Sequence, residues 1–450
     1  MSDSPGARPP AGQPSILFEA SNLGLAAGTG IATYARALAG AAGRLCFSPL
    51  GLFDVARGLD RRQGALNEVL AFDAIDPDEG VPLLRDIGRI LAAPVRALRG
   101  LAPIEIPQSG VVVDQATRSL RAFDKVYAVT RLIEAARGHF KCYGRSAQLR
   151  LPQPPSLFHA THPVPLTVKG IPNLVTIHDL VPLRLPFTTL DDKRHFYKLV
   201  HHLARTADHI VTVSEHSRRD IIEVLGVDER RVTNTWQAVD VPADLITLSE
   251  DALADRLQRL FGLDPSEYYL FCGAIEPKKN VSRLLDAYAA SGTKRPLILS
   301  GSRGWQNRTE LRKIGSDRFR SFRIDGQSIR RERQVRRLDY LARDQLLLLM
   351  RGARALLFPS IYEGFGLPVV EAMALGTPVL TANVSSLPEV AGDAALLVDP
   401  YSIDALSRGI TALDADSALR SELSRRGTEQ AKKFSANEYD ERLKQLYQQF

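Results

Sequence analysis

The sequence predicts an α/β protein made of two doubly wound domains in tandem, facing each other across a central cleft. Three observations predict it. The chain has 450 residues, too many for one compact core, and two domains of roughly 200 residues are the ordinary solution. Short apolar runs alternate with helical stretches, the rhythm of parallel sheets covered by helices. That rhythm breaks once, in "VPADLITLSEDALADRLQRLFGLDPSE", which has no strand-like run and reads as a linker over 243–266.

Each element follows in order. Residues 1–14 lack the basic start and apolar core of a secretory signal and read as a disordered lead. The first domain, 15–242, offers strands in "SILFEA" (15–20), "SLFHAT" (156–161), "NLVTIHDL" (173–180) and "HIVTVS" (209–214). Helices are expected near 30–43, near 190–206 and after Ser214. The second domain, 267–430, offers "YYLFCGAI" (268–275), "RPLILSGS" (295–302), "ARALLFPS" (353–360), "TPVLTAN" (377–383) and "AALLVDP" (394–400). Residues 401–450 read as helices, the last of them (431–450) packing back on the first domain. No repeat recurs at a fixed period.

Composition excludes some classes. No apolar run approaches the ~18 residues that span a bilayer. Cys46, Cys142 and Cys272 are scattered and odd in number, with neither a disulfide framework nor a zinc pattern, so a reducing cytosol is expected. The net charge of +7 points to anionic partners. Between Val81 and Arg150 twelve Lys or Arg stand against five acidic residues. On a helix, Arg85, Arg89, Arg96 and Arg99 would flank a stripe of Leu84, Ile87, Leu91, Val95 and Leu98, a pattern suited to an anionic membrane surface. An ordinary solvated helix face fits it too, and Pro94 would interrupt the segment. No nucleic-acid-binding module accompanies the charge, so no nucleic-acid partner is expected.

The chemistry concentrates in "EGFGLPVVEAMALG", Glu363 to Gly376. It follows the strand "ARALLFPS", so Ile361 to Gly366 form a loop at a strand's carboxyl end. Pro368 suits the first turn of a helix and Gly376 its end. Gly364 and Gly366 let backbone approach a ligand, and the helix start presents free N–H groups to an anion. Carboxylates at both ends repel phosphate but accept hydrogen bonds from sugar hydroxyls. A nucleotide sugar satisfies the whole arrangement; a plain strand–loop–helix with two surface glutamates is the rival.

The segment "PSIYEGFGLPVVEAMALGTPVL" resembles the signature of retaining family 4 glycosyltransferases of the GT-B architecture, two tandem Rossmann-like domains. The stretches "GTGIATYARAL", "TIHDLVPL", "IVTVSEHSRRDI", "GAIEPKKNVSRLL", "GSRGW", "RLDYLARDQL" and "SSLPEVAGDAALLVDP" agree in the same order. The set is similar to bacterial O-antigen and exopolysaccharide enzymes. The resemblance implies that Glu363 contacts the donor sugar, that Glu371 contacts the ribose, and that Gly364, Phe365, Gly366 and Leu367 offer backbone. Lys279 would bind the diphosphate and stabilise the leaving group, with Lys278 beside it. Ala274 stands where many relatives carry Arg, which leaves Lys279 with more of the charge. His178 would sit near the reacting sugar, with Asp179 beside it. Gly28 to Ile31, Gly30 among them, would close over the donor phosphates or the acceptor, and Tyr340 and Leu341 would contact the base.

The implied reaction moves a hexose, first of all mannose from GDP-mannose and next a UDP-hexose, to a saccharide acceptor linked to polyprenyl diphosphate. The implied place is the cytoplasmic face of the plasma membrane. No cofactor or bound metal is implied. His159 and His162 in "HATHPVP" resemble metal ligands, but no completing carboxylate stands at a convincing spacing. "GTGIATY" is a poor dinucleotide fingerprint, since its glycines lie too far past the strand, Thr33 replaces the third, and Asp54 is an unconvincing ribose partner. Glu363 and Glu371 could also be the acid and nucleophile of a glycoside hydrolase, although such an enzyme has no use for an anion-binding turn. A non-catalytic sugar-nucleotide sensor on the same fold is a further rival.

Overall fold

A computed structural model describes residues 13–450 except 25–29, 57, 61, 63, 72–94, 110, 111, 113–121, 303, 306, 307, 326, 327 and 340. Its first half contributes β1 (Ser15–Glu19), β2 (Ser48–Val55), β3 (Ile104–Ile106), β4 (Lys125–Thr130) and β5 (Ala147–Leu149). There follow β6 (Leu157–Ala160), β7 (Leu166–Val168), β8 (Asn173–Thr176), β9 (His209–Thr212) and β10 (Val232–Asn234). Among the described residues eight of these form one sheet in the order β10-β9-β8-β6-β1-β2-β4-β3, parallel except for β3 against β4. Strands β5 and β7 pair separately.

The second half contributes β11 (Tyr269–Cys272), β12 (Leu297–Ser300), the hairpin β13 (Arg320–Asp325) and β14 (Ser328–Arg333), β15 (Val335–Leu338), β16 (Ala355–Phe358), β17 (Val379–Ala382) and β18 (Leu396–Val398). Its parallel sheet runs β15-β12-β11-β16-β17-β18. The central strands are buried along their whole length, as β11, β12, β16 and β17 show, because helices cover both faces of a doubly wound sheet. In each sheet the strand order reverses once, between β1 and β6 and between β11 and β16. In open α/β sheets the crevice at such a reversal is where ligands bind.

Four local features go beyond the sequence reading. Strands β2 and β4 give no clear signal: Pro49 and Gly51 interrupt the apolar run of β2, and β4 lies in the segment whose charge drew attention instead. Of that segment, Arg85 and Arg89 lie outside the described residues. The part that is described carries β3, β4 and the helix Leu132–Tyr143, with Arg96 donating to the Thr130 carbonyl at 2.8 Å. Asp54 accepts from the backbone N–H of Leu132 and Ile133, so it caps that helix. The stretch 243–266 forms helices Ala243–Ile246 and Glu250–Phe261. These pack on the second domain, where Leu253 and Leu257 join the same core as Leu347 and Met350, and Arg351 donates to the carbonyls of Leu245 and Leu248 at 2.6 Å.

The helix Ala436–Tyr447 returns to the first domain. Asp440 pairs with Arg44 at 2.6 Å, and the Tyr447 hydroxyl lies 2.9 Å from His159 Nδ1. Across the cleft, Glu389 accepts from the backbone N–H groups of Glu215 and His216 at 2.8 and 3.1 Å and from the Trp236 indole at 2.5 Å. A carboxylate at the start of the helix Glu215–Leu225 meets both its free donors and its positive end. Tyr362 hydrogen-bonds Asp220, and the Trp305 indole donates to the Thr188 carbonyl at 2.8 Å. Among the described residues no helix is long and apolar enough to cross a membrane, and all three cysteines are free.

Candidate functional site

The loops after β11 and β16 flank the reversal in the second sheet and carry the residues singled out from the sequence. After β11, Pro277 to Lys279 form one tight turn that ends on Asn280 at φ 60°. The Asn280 amide donates to the carbonyls of Pro359 and Pro400 at 3.1 and 2.7 Å, and Ile361 N–H donates to the Lys278 carbonyl at 2.8 Å. The two loops are therefore tied together by backbone. This brings Lys279 Nζ to 2.6 Å from Glu363 Oε1 and 5.0 Å from the Phe358 ring centroid. Lys278 Nζ lies 3.6 Å from Glu276.

The electrostatics follow from that clustering. Burial pushes the Glu363 carboxyl up, but Lys279 and Lys278 outweigh it and hold it below its ordinary value, so it is ionised at neutral pH. Lys278 loses by burial, yet Glu363, Asp179 and Glu276 raise its ammonium above the usual range. Two cations held by carboxylates are poised to exchange those partners for a diphosphate. Glu371, on the helix Leu367–Ala374, is almost fully buried and lies 2.8 Å from Arg343. That approach is not aligned as a hydrogen bond, and Oε1 has no hydrogen-bond partner. Burial raises the Glu371 carboxyl, and Arg343 offsets only part of it.

The glycines of the loop after β16 are closely constrained. A Cβ on Gly364 would meet the His178 carbonyl at 2.8 Å and Asp179 at 3.2 Å, so the other domain's loop presses on it. Gly366 sits at φ 107°, a conformation that side chains other than glycine's resist. The Phe365 ring is buried against Phe434, leaving only its backbone to the cleft. Leu341 and Leu367 are half-buried and pack on the core. Gly30 opens the helix Gly30–Arg44 and is exposed. Gly28 and Tyr340 lie outside the described residues.

His178 meets the site from the first domain. Its Nε2–H donates to the Thr161 carbonyl at 2.9 Å, and its ring stands edge-on to Tyr34 at 4.8 Å. Burial lowers its pKa, leaving Nδ1 as an acceptor. His159 is structural: it sits between Tyr447 and Thr176, and burial drives its pKa to about 3. His162 has the carboxylate that the sequence did not reveal, Glu19, at 2.8 Å. Among the described residues no cluster of three or more ligands suits a metal. Sequence reasoning also missed Arg343, which lies inside a quoted stretch but at no diagnostic spacing, and Glu389, whose partners are far away in the chain.

Comparison with known proteins gives these arrangements a family. Residues 260–433 match the family described as Glycosyl transferases group 1, and residues 110–241 match Glycosyltransferase Family 4. The O-antigen chain mannosyltransferase B of Escherichia coli is 36% identical over 269 residues, 58% of this chain and 66% of that one. The serotype-specific mannosyltransferase WbdA of Escherichia coli is 30% identical over 268 residues, 57% of this chain and 31% of that one. The chain thus spans about a third to two thirds of the length of these relatives. Among solved structures, Anabaena Alr3699/HepE in complex with UDP-glucose superposes with a TM-score of 0.63 at 15% identity, covering 97% of this chain and 100% of that one. The sucrose-phosphate synthase of Thermosynechococcus elongatus does so at 0.60 and 18%, covering 97% and 98%. These last likenesses show the two-domain GT-B fold. On the two matched families, the chain belongs to the glycosyltransferases, family 4 in its N-terminal part and group 1 in its C-terminal part.

Proposed function

We propose that the protein is a retaining hexosyltransferase that takes mannose from GDP-mannose and passes it to a saccharide acceptor in cell-surface polysaccharide synthesis. The observation that carries this reading is the Lys279–Glu363 pair, at 2.6 Å, in the crevice where the second sheet reverses. The mannosyltransferases among the relatives support mannose and an O-antigen setting. A UDP-hexose is the second reading, favoured by the solved neighbour that holds UDP-glucose.

In this mechanism the diphosphate takes Lys279 and Lys278, and Glu363, freed, accepts from hydroxyls of the transferred sugar. Glu371 accepts from the ribose diol. The acceptor oxygen bonds to the anomeric carbon on the face from which the diphosphate departs, and the acceptor's proton passes to the departing phosphate oxygen. Lys279 faces the charge as it develops, where a preorganised cation lowers the barrier most. Closure of the domains excludes water and limits hydrolysis of the donor. The lysines supply the positive charge, so the reading includes no metal or other cofactor. An acceptor linked to polyprenyl diphosphate and contact with the inner face of the plasma membrane through the basic 81–150 region complete the proposal.

Two measurements test it. In a thermal-shift screen, GDP and GDP-mannose should stabilise the protein more than UDP and UDP-hexoses, since a ligand selective for the folded state raises its apparent stability. Release of nucleoside diphosphate should also require a saccharide acceptor. Binding without release would indicate a sensor, and release of free sugar without acceptor a hydrolase.

A further inference from the structure

Each sheet has its own reversal, and the chemistry assigned so far occupies only the second. In the first sheet the order turns between β1 and β6, and an acid–base pair stands in that crevice as well. Glu19, the last residue of β1, is fully buried. His162 lies just past β6, with Nδ1 2.8 Å from Glu19 Oε2. Ser21 N–H donates to Glu19 Oε1 at 2.8 Å, and the Thr161 hydroxyl donates to the Glu19 carbonyl at 2.8 Å. A buried carboxylate survives only with such partners.

The carboxylate fixes the ring. Nδ1 carries the proton that faces Glu19, which leaves Nε2 as the free nitrogen. Among the described residues Nε2 has no hydrogen bond, and the side chain is 14% exposed. The neighbouring Thr161 carbonyl holds His178 Nε2, so His162 stands beside the histidine whose own carbonyl presses on Gly364. A ring nitrogen backed by a buried negative charge suits a hydroxyl and repels phosphate. Donor diphosphate and this crevice are therefore mismatched, while a sugar hydroxyl fits.

We propose that Glu19 and His162 form an acceptor subsite in which His162 Nε2 receives a hydrogen bond from a hydroxyl of the acceptor saccharide. The inference rests on the glycosyl-transfer reading and adds no covalent step to it. The titratable groups facing the imidazole are Glu19 from β1 and His178 from the loop after β8, with Asp54 on β2 beyond Glu19 and the Asn22 amide 3.0 Å from Nδ1. Glu19→Gln removes the charge that orients the ring and should lower kcat/KM for the acceptor.

The test is steady-state kinetics on the full chain, varying in turn the donor and the saccharide that support nucleoside diphosphate release by the wild type. His162→Asn should lower kcat/KM for the acceptor by about 10- to 100-fold, the size expected for a lost hydrogen bond to a well-oriented polar group. The donor KM should stay within about twofold. His162→Gln, which reaches further, should recover part of the loss. Thermal stabilisation by donor nucleotide certifies that each variant is folded. Unchanged acceptor kinetics in the His162 and Glu19 variants, or a donor KM that rises in step with the acceptor's, would overturn the proposal. If the wild type itself releases no nucleoside diphosphate with any saccharide, the glycosyl-transfer reading fails and this subsite with it. If the wild type turns over and the variants match it, only the subsite fails.

Discussion

The two crevices of this molecule are built alike and read very differently. In the second, a cation from the loop after β11 meets a carboxylate from the loop after β16; in the first, a carboxylate ending β1 meets a histidine just past β6. Each joins two neighbouring parallel strands at their carboxyl ends, where the chain leaves the sheet in opposite directions. The partners differ in what surrounds them. Lys279 and Glu363 each follow a strand in a strand–turn–helix unit, and that of Glu363 has a glycine at its helix start, the local chemistry that suits an anion. Glu19 and His162 have no such unit around them, and only the pairing of β1 with β6 brings them together. The former arrangement is legible in contiguous residues; the latter is visible only in the assembled sheet.

Substitutions can break or sharpen that contrast. The largest effect is expected at Lys279: Lys279→Ala should cut kcat by about 100- to 1000-fold with cooperative melting preserved, the usual size for loss of a preorganised transition-state donor. A wild-type rate in this variant would detach the second crevice from the chemistry. Next, Glu371→Ala should weaken nucleotide binding by about 10- to 100-fold, read by calorimetric titration with the better of GDP and UDP. An unchanged affinity would mean that the ribose lies elsewhere.

A smaller effect is expected where the two crevices are held face to face. Glu389→Ala leaves two backbone N–H groups and an indole N–H without their acceptor, and should cost about 1–3 kcal/mol in denaturant unfolding. Loss of activity without loss of stability would show that this contact sets domain orientation alone. The last concerns pH. His159 is neutral and buried, with a pKa lowered to about 3 from an ordinary 6.5. Between those values the unfolded chain binds a proton that the native one does not, so this group's contribution is full above pH 6.5 and is lost as pH falls, by up to about 1.4 kcal/mol per pH unit. His159→Gln should be less stable at pH 7 yet lose stability less steeply from pH 6 to 4, in chemical denaturation at each pH. Parallel curves would place the acid sensitivity elsewhere.

Much of the fold was legible because buried parallel strands are continuous apolar runs, as in "YLFC", "LILS" and "ALLF". Strand β2 was not, since Pro49 and Gly51 break its run and only pairing with β1 and β4 makes it a strand. Gly364 has a constraint that no local pattern shows: the His178 loop passes against it, a contact between residues 186 positions apart. Arg343 and Glu389 had charge but no pattern, and their partners Glu371 and Glu215 come from other elements.

The sequence by itself determined the two α/β domains and the presence of Lys279, Glu363 and Glu371 on loops that follow strands, because strand periodicity and helix-start chemistry are properties of contiguous residues. Only the tertiary structure decided that Lys279 faces Glu363, that Arg343 faces Glu371, and that Glu19 backs His162. Those pairings depend on which strands lie side by side, and strand order is set by burial over the whole sheet, not by any one segment of it.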